Sequence, residues 1–129
     1  MPKATGPFDV RLASLDVYAK DVLGRRSIDK VYHGDLDATG QGEMLAAMSA
    51  TPGSGVYVAI EKVTGKLGGK SGSFLLHHTG RMDRGAQSLS VKVVPDSGTD
   101  DLTGLTGSMN IIIGEGGAHS YEFTYTLLG

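Results

Sequence analysis

No cysteine occurs among the 129 residues, which excludes a disulfide framework, a thiolate zinc site, an iron–sulfur cluster and thiol catalysis. An excess of one charge is missing too. Twelve Lys and Arg against 14 Asp and Glu give a formal net charge of −2, so neither a broad basic face for nucleic acid nor a polybasic membrane anchor is expected. Nowhere do about 18 apolar residues follow one another, and the start, Met1-Pro2-Lys3-Ala4-Thr5, has no apolar signal core. A soluble, cytoplasmic protein is the expectation. Internal repeats, linkers and long charge runs are absent as well. Residues 1–129 therefore read as a single domain, long enough to bury a core without a metal or disulfide staple.

What the chain has in excess is glycine, 20 residues, falling between apolar stretches as turn material. A period of two dominates from Ser27 onward. Phe8, Val10 and Leu12 alternate with Asp9 and Arg11 in a first strand, and Leu15–Leu23 reads as a short helix or an irregular connection. Ser27–Leu36 alternates Ile28, Lys30 and Tyr32 with Asp29, Val31 and His33. Gln41–Ser49 contains helix formers, yet its glycine neighbours and short length favour a strand. Val56–Val63, Ser71–Thr79, Gln87–Val94, Ser108–Ile113 and His119–Leu128 complete the set, with a turn-rich stretch from Pro95 to Gly107. About eight strands at this spacing leave no room for βαβ crossovers. The expected fold is all-β, a barrel or a sandwich. A closed antiparallel meander barrel with at most one short helix is preferred, because closure removes long hydrophobic edges.

Three motifs invite chemistry and are better read as turns. Thr64-Gly65-Lys66-Leu67-Gly68-Gly69-Lys70-Ser71 resembles a phosphate loop, but Gly65 is one position too close to Gly69-Lys70-Ser71. A strand pattern, Gly72 to Leu76, also follows where a helix is required. Asp96-Ser97-Gly98 resembles an aspartic-protease signature, yet Pro95 and Gly98 make it an ordinary turn. Asp96, Asp100 and Asp101 offer oxygen ligands without EF-hand spacing. His77 and His78 are adjacent on a strand, so they point to opposite faces and cannot chelate one ion together. No metal and no cofactor are expected.

Glu61 is the residue that stands out. It shares a face with Tyr57, Ala59 and Val63, whereas Val56, Val58, Ile60 and Lys62 take the other, and the pattern leaves open which face is inside. If Glu61 points inward it needs partners such as Lys30, His78 or a tyrosine hydroxyl. With Glu43 also inward, a polar spot would lie at the base of an apolar cavity, the usual composition of a ligand or acid–base site.

Several stretches together resemble a known family. They are Ile28 to Leu36 (IDKVYHGDL), Gly42 to Leu45 (GEML), Gly55 to Glu61 (GVYVAIE), Gly72 to Gly80 (GSFLLHHTG), Val94 to Thr99 (VPDSGT) and Gly104 to Gly107 (GLTG). In this order the chain is similar, from about Ser27 to Leu127, to a bacterial family of small domain-of-unknown-function proteins. The resemblance implies an eight-stranded, calycin-like meander barrel like that of allene oxide cyclase. It brings no catalytic residue, because no motif of that enzyme is present and fold does not fix function.

The leading expectation is a small barrel that binds an apolar or amphipathic molecule in its lumen. Phe74, Leu76, Val91, Phe123 and Tyr125 would line the lumen, with Tyr57, Tyr121 and His119 beside them, and Glu61 and His78 would orient the ligand. The alternatives are a cyclase-, isomerase- or hydrolase-like enzyme using Glu61 with His78 or Tyr121, and a structural homo-oligomer whose barrel is filled by its own side chains. Apolar residues on both faces of Val56–Val63 and Ile111–Ile113 make self-association an expectation too.

Overall fold

The structure, a computed structural model, describes residues 2–127. Eight strands run in chain order around a closed barrel: β1 (Lys3–Leu15), β2 (Leu23–Tyr32), β3 (Leu36–Met48), β4 (Gly55–Leu67), β5 (Lys70–Asp83), β6 (Ala86–Val93), β7 (Thr106–Ile113) and β8 (His119–Thr126). Every neighbour is antiparallel, and β8 returns to pair with β1. The only helical segments among the described residues are two short 3₁₀ turns, Asp100–Leu102 and Glu115–Gly117. Following the register once around, from Ser14 through Arg26, Met44, Ala59, His78, Val91 and Phe123 to Ala4, returns to β1 ten residues from the start. Such an offset tilts strands about 35–45° from the barrel axis.

Several strands differ in extent from the sequence expectation, for local reasons. Phe8–Leu12 is the middle of a longer β1, because the whole of Lys3–Leu15 finds partners on β8 and then β2. The expected strand Ser27–Leu36 is broken after Tyr32. Gly34, at φ +92°, turns the chain, and Leu36 opens β3. Gln41–Ser49 is strand and not helix, paired on both sides. Residues 16–22 take the irregular alternative, closed by Leu23 N–H donating to Ala19 C=O at 2.9 Å. The glycine-rich segment between β4 and β5 is a two-residue hairpin, with Gly68 and Gly69 at φ +56° and +84°, as a type I′ turn requires. In the expected strand His119–Leu128, Leu128 lies outside the described residues.

The two ends of the barrel differ. One is sealed by residues 94–105, which continue along β5 where β6 stops. Val94 N–H donates to Leu75 C=O at 2.9 Å, Thr99 N–H to Ser73 C=O at 2.8 Å, and Leu75 N–H to Ser97 Oγ at 3.0 Å. The Asp96-Ser97-Gly98 motif thus serves as a backbone turn. Its loop inserts Leu102 and Leu105, both buried, among Leu36, Leu67, Phe74 and Phe123. The Phe74 and Phe123 rings stack at 5.8 Å and the Phe123 and Tyr125 rings at 5.4 Å. Among the described residues no such plug exists at the other end, where Leu12, Met44, Tyr57, Met82, Leu89 and Ile113 occupy inward positions of their strands and remain partly or largely exposed. β6 and β7 are bridged at one pair, Lys92 and Ser108, so the wall loosens toward this open end.

Candidate functional site

Glu61 points inward and is fully buried, which resolves the face left open by the β4 alternation: Ala59, Glu61 and Val63 are interior, and Val56, Val58 and Ile60 are exterior. Its place is made by β3. An added Cβ on Gly40 would overlap Oε2 of Glu61, so only glycine leaves room for the carboxylate. Three donors converge on it. Nζ of Lys30 on β2 and Nε2 of His78 on β5 approach Oε1 at 3.1 and 2.9 Å, and the Tyr32 hydroxyl on β2 donates to Oε2 at 2.5 Å. Lys30 in turn lies 5.1 Å from the Phe8 ring centroid and 5.7 Å from that of Tyr32, each a cation–π contact. A buried charge is tolerated only when paired and hydrogen-bonded, and this one is both.

The electrostatics follow from these contacts. Burial pushes the Glu61 carboxyl upward. The His78 hydrogen bond, the Lys30 charge and the Tyr32 hydrogen bond together outweigh it and hold the group below the usual carboxylate range. Burial first, and then the adjacent Glu61 charge and hydrogen bond, push the Tyr32 phenol far above its ordinary value. Glu61 is therefore an ionised acceptor and Tyr32 a neutral donor.

Tyr121 does not join this cluster. Its hydroxyl donates to His33 C=O at 2.6 Å and accepts from Leu36 N–H at 2.8 Å, pinning the β2–β3 turn, and its ring stands edge-on to Tyr32 at 5.7 Å. Desolvation is the main cause raising its phenol. His119 faces inward from β8 with its ring 5.2 Å from Phe8, half-buried. Phe74, Leu76, Val91 and Phe123 are inward but tightly buried among themselves, while Tyr125 is half-buried on Phe123. Glu43, for which an inward position beside Glu61 was left open, faces out. In the β2–β3 register the inward positions of β3 are the even ones, and Glu43 accepts from Nε of Arg25 at 2.7 Å on the surface. His77 and His78 lie on opposite faces, as adjacent strand residues must.

Of the expected lining residues, Tyr57 is the one that borders a groove at the open end. A groove of about 370 Å³ lies in the open end, lined by inward Met44, Ala46, Tyr57, Met82, Gln87 and Leu89. The Tyr57 ring fills the place where Gly80 has no side chain, and burial raises its phenol. Met44 and Met82 went unnoticed from sequence, and Leu89, read as inward with Val91 and Val93, was not counted among the lining residues; the even positions of β3 and β5 and the odd positions of β6 were the signal. Among the described residues no three His, Asp or Glu side chains are grouped as metal ligands.

The family of unknown function DUF3224 has a model that matches residues 4–125, nearly the whole barrel. The chain belongs to the DUF3224 family. A solved structure of a DUF3224 protein of unknown function from Shewanella oneidensis MR-1 is 50% identical and superposes with a TM-score of 0.94 over 100% of this chain and 98% of that one. No curated protein matches the sequence. Also, no helix among the described residues is long and apolar enough to cross a membrane.

Proposed function

We propose that this DUF3224 protein binds a small apolar or amphipathic molecule in the open end of its barrel. One observation carries the reading: the alternation that fills the sealed end leaves inward apolar side chains uncovered at the other, around a groove of about 370 Å³. That volume is in the range of small-molecule sites, about 300–1,000 Å³. The lumen site of the sequence expectation thereby moves from the packed centre, where Phe74 and Phe123 sit, to the mouth. Binding is preferred over acid–base catalysis because the Glu61 carboxylate is fully buried and engaged by three donors, which keeps it out of a substrate's reach. The relation to allene-oxide-cyclase-like, calycin-like barrels is proposed at the level of shape alone, supported by the eight-stranded closed meander. Action as a cytoplasmic protein belongs to the same proposal and rests on the cysteine-free composition.

The test is a thermal-shift screen of small alcohols, fatty acids, terpenoids and aromatic metabolites against the wild type and Leu89→Lys. A ligand at 100 times its dissociation constant adds about 2.7 kcal/mol, a rise of roughly 5–15 °C for a chain of this length. A saturable rise that Leu89→Lys abolishes supports the mouth. A flat response in both proteins removes the reading.

A second reading, self-association, is favoured by a separate observation. Leu45, Val56, Val58 and Ile60 form an exposed apolar strip on the outer face of β3 and β4, where monomeric proteins rarely place contiguous apolar area. Light scattering of the wild type and Val58→Lys tests it, with a fall to monomer mass in the variant as the expected result.

A further inference from the structure

We infer that the molecule taken up at the open end carries a hydroxyl group, and that Nδ1 of His78 receives its proton in a hydrogen bond. The inference rests on the mouth being a binding site. Glu61 sets the polarity of His78. A carboxylate that faces the Lys30 ammonium at 3.1 Å and the Tyr32 hydroxyl at 2.5 Å is an acceptor, so its 2.9 Å contact with Nε2 places a proton on that nitrogen. A neutral imidazole protonated at Nε2 presents a bare lone pair at Nδ1. That nitrogen has no hydrogen bond within the described residues, yet no fully buried side-chain N or O there lacks a partner. The 4% of the His78 side chain that stays accessible therefore includes Nδ1.

The position of His78 connects it to the groove. It sits on β5 one inward place below Gly80, between Ala59 and Val91 on the neighbouring strands. Above it Gly80 contributes no side chain, and the Tyr57 ring that occupies the gap forms part of the groove lining. His78 is not itself part of the groove lining, so a ligand must displace the Tyr57 ring that separates them to meet this acceptor. A hydroxyl satisfies it. An ether or a hydrocarbon has no proton to give, and a carboxylate would set its lone pairs against the lone pair of Nδ1. An alkylammonium could donate, but it would bring an unpaired charge into apolar surroundings. The class is a neutral alcohol or phenol on an apolar frame. Arg26 is the competing anchor: it takes an inward place on β2 opposite Met44, is exposed, and would favour an acid.

Three probes of matched size decide this: octan-1-ol, methyl heptyl ether and octanoate, titrated calorimetrically. The expected result is octan-1-ol binding about three- to tenfold more tightly than the ether, the worth of one net hydrogen bond, with octanoate weakest. His78→Leu should equalise alcohol and ether. Because this variant removes a partner of Glu61 and could fail to fold, the wild type gives an independent readout. Long-range ¹H–¹⁵N spectra should show the Nδ1 resonance of His78 moving with octan-1-ol and not with the ether. Equal affinities with a static Nδ1 resonance overturn the anchor but leave the mouth as a binding site. So does a preference for octanoate that Arg26→Gln removes. If none of the probes binds, and a wider panel gives no shift that Leu89→Lys abolishes, the binding reading itself falls, and the inference with it.

Discussion

The sealed and open ends of this barrel are made from the same strands with the same alternation, and they end in opposite states. At the sealed end Phe123 is 0% exposed beneath Leu102 and Leu105; at the open end Leu89 is 46% and Ile113 68% exposed, although both take inward positions. The difference comes from the connections. Residues 94–105 form a long loop held to β5 by backbone and Ser/Thr hydrogen bonds, and they drive two leucines into the lumen. The connections at the other end bring no comparable apolar plug. Tyr18, in residues 16–22, points fully into solvent, and β5 to β6 is a tight Arg84-Gly85 turn with both residues at positive φ. An apolar inner face is thus necessary for a core but not sufficient; a loop must close it.

The comparison can be broken most severely at the sealed end. Phe123→Ala removes a ring stacked between Phe74 and Tyr125 and should cost about 3–5 kcal/mol in urea unfolding. A similar loss, about 3–5 kcal/mol, is expected for Glu61→Gln, because it leaves the Lys30 ammonium buried without its counter-charge. Adding Lys30→Met to that variant should recover much of it. Glu61 also fixes an acid limit. Its folded pKa lies below its unfolded value of about 4.5, so its contribution is present above that pH and is lost as pH falls through the folded value. Acid unfolding should therefore steepen below about pH 4.5 in the wild type and flatten in Glu61→Gln. Tyr32 acts in the opposite direction. Its folded pKa is raised, so its contribution is intact below pH 10, the ordinary phenol value, and declines above it; Tyr32→Phe should remove that alkaline slope.

A smaller effect, about 1–3 kcal/mol, is expected for Gly40→Ala, whose methyl group intrudes on Oε2 of Glu61. Smallest of all is Leu89→Ala at the open end, where unfolding free energy should change by no more than about 0.5 kcal/mol. A large loss there would mean that the mouth is core and not site.

Much of this was legible in the chain. Alternation located the strands, and the partners offered for an inward Glu61, namely Lys30, His78 and a tyrosine hydroxyl, are the three it has. Which face of β4 turned inward was not legible, because Val56, Val58 and Ile60 are as apolar as Ala59 and Val63 and lie outside. The side of Glu43 was left open because side-chain period fixes parity only within a strand; the register against β2 decides which parity is inside. The open end was hidden for a different reason. Met44, Met82 and Leu89 carry the same pattern as buried residues, and only the closing loop distinguishes Leu89 from Phe123.

The most direct measurement uses the methionines. Met44, Met48 and Met82 line the open-end groove, and Met109 is buried in the core. With ¹³C-labelled methionine methyl groups, a titration with octan-1-ol should move the Met44 and Met82 resonances progressively to saturation and leave Met109 in place. If all methyl resonances stay fixed with octan-1-ol and with every compound of the wider panel, or Met109 moves with the others, the open end is not a binding site, and the contrast between the two ends has no functional meaning.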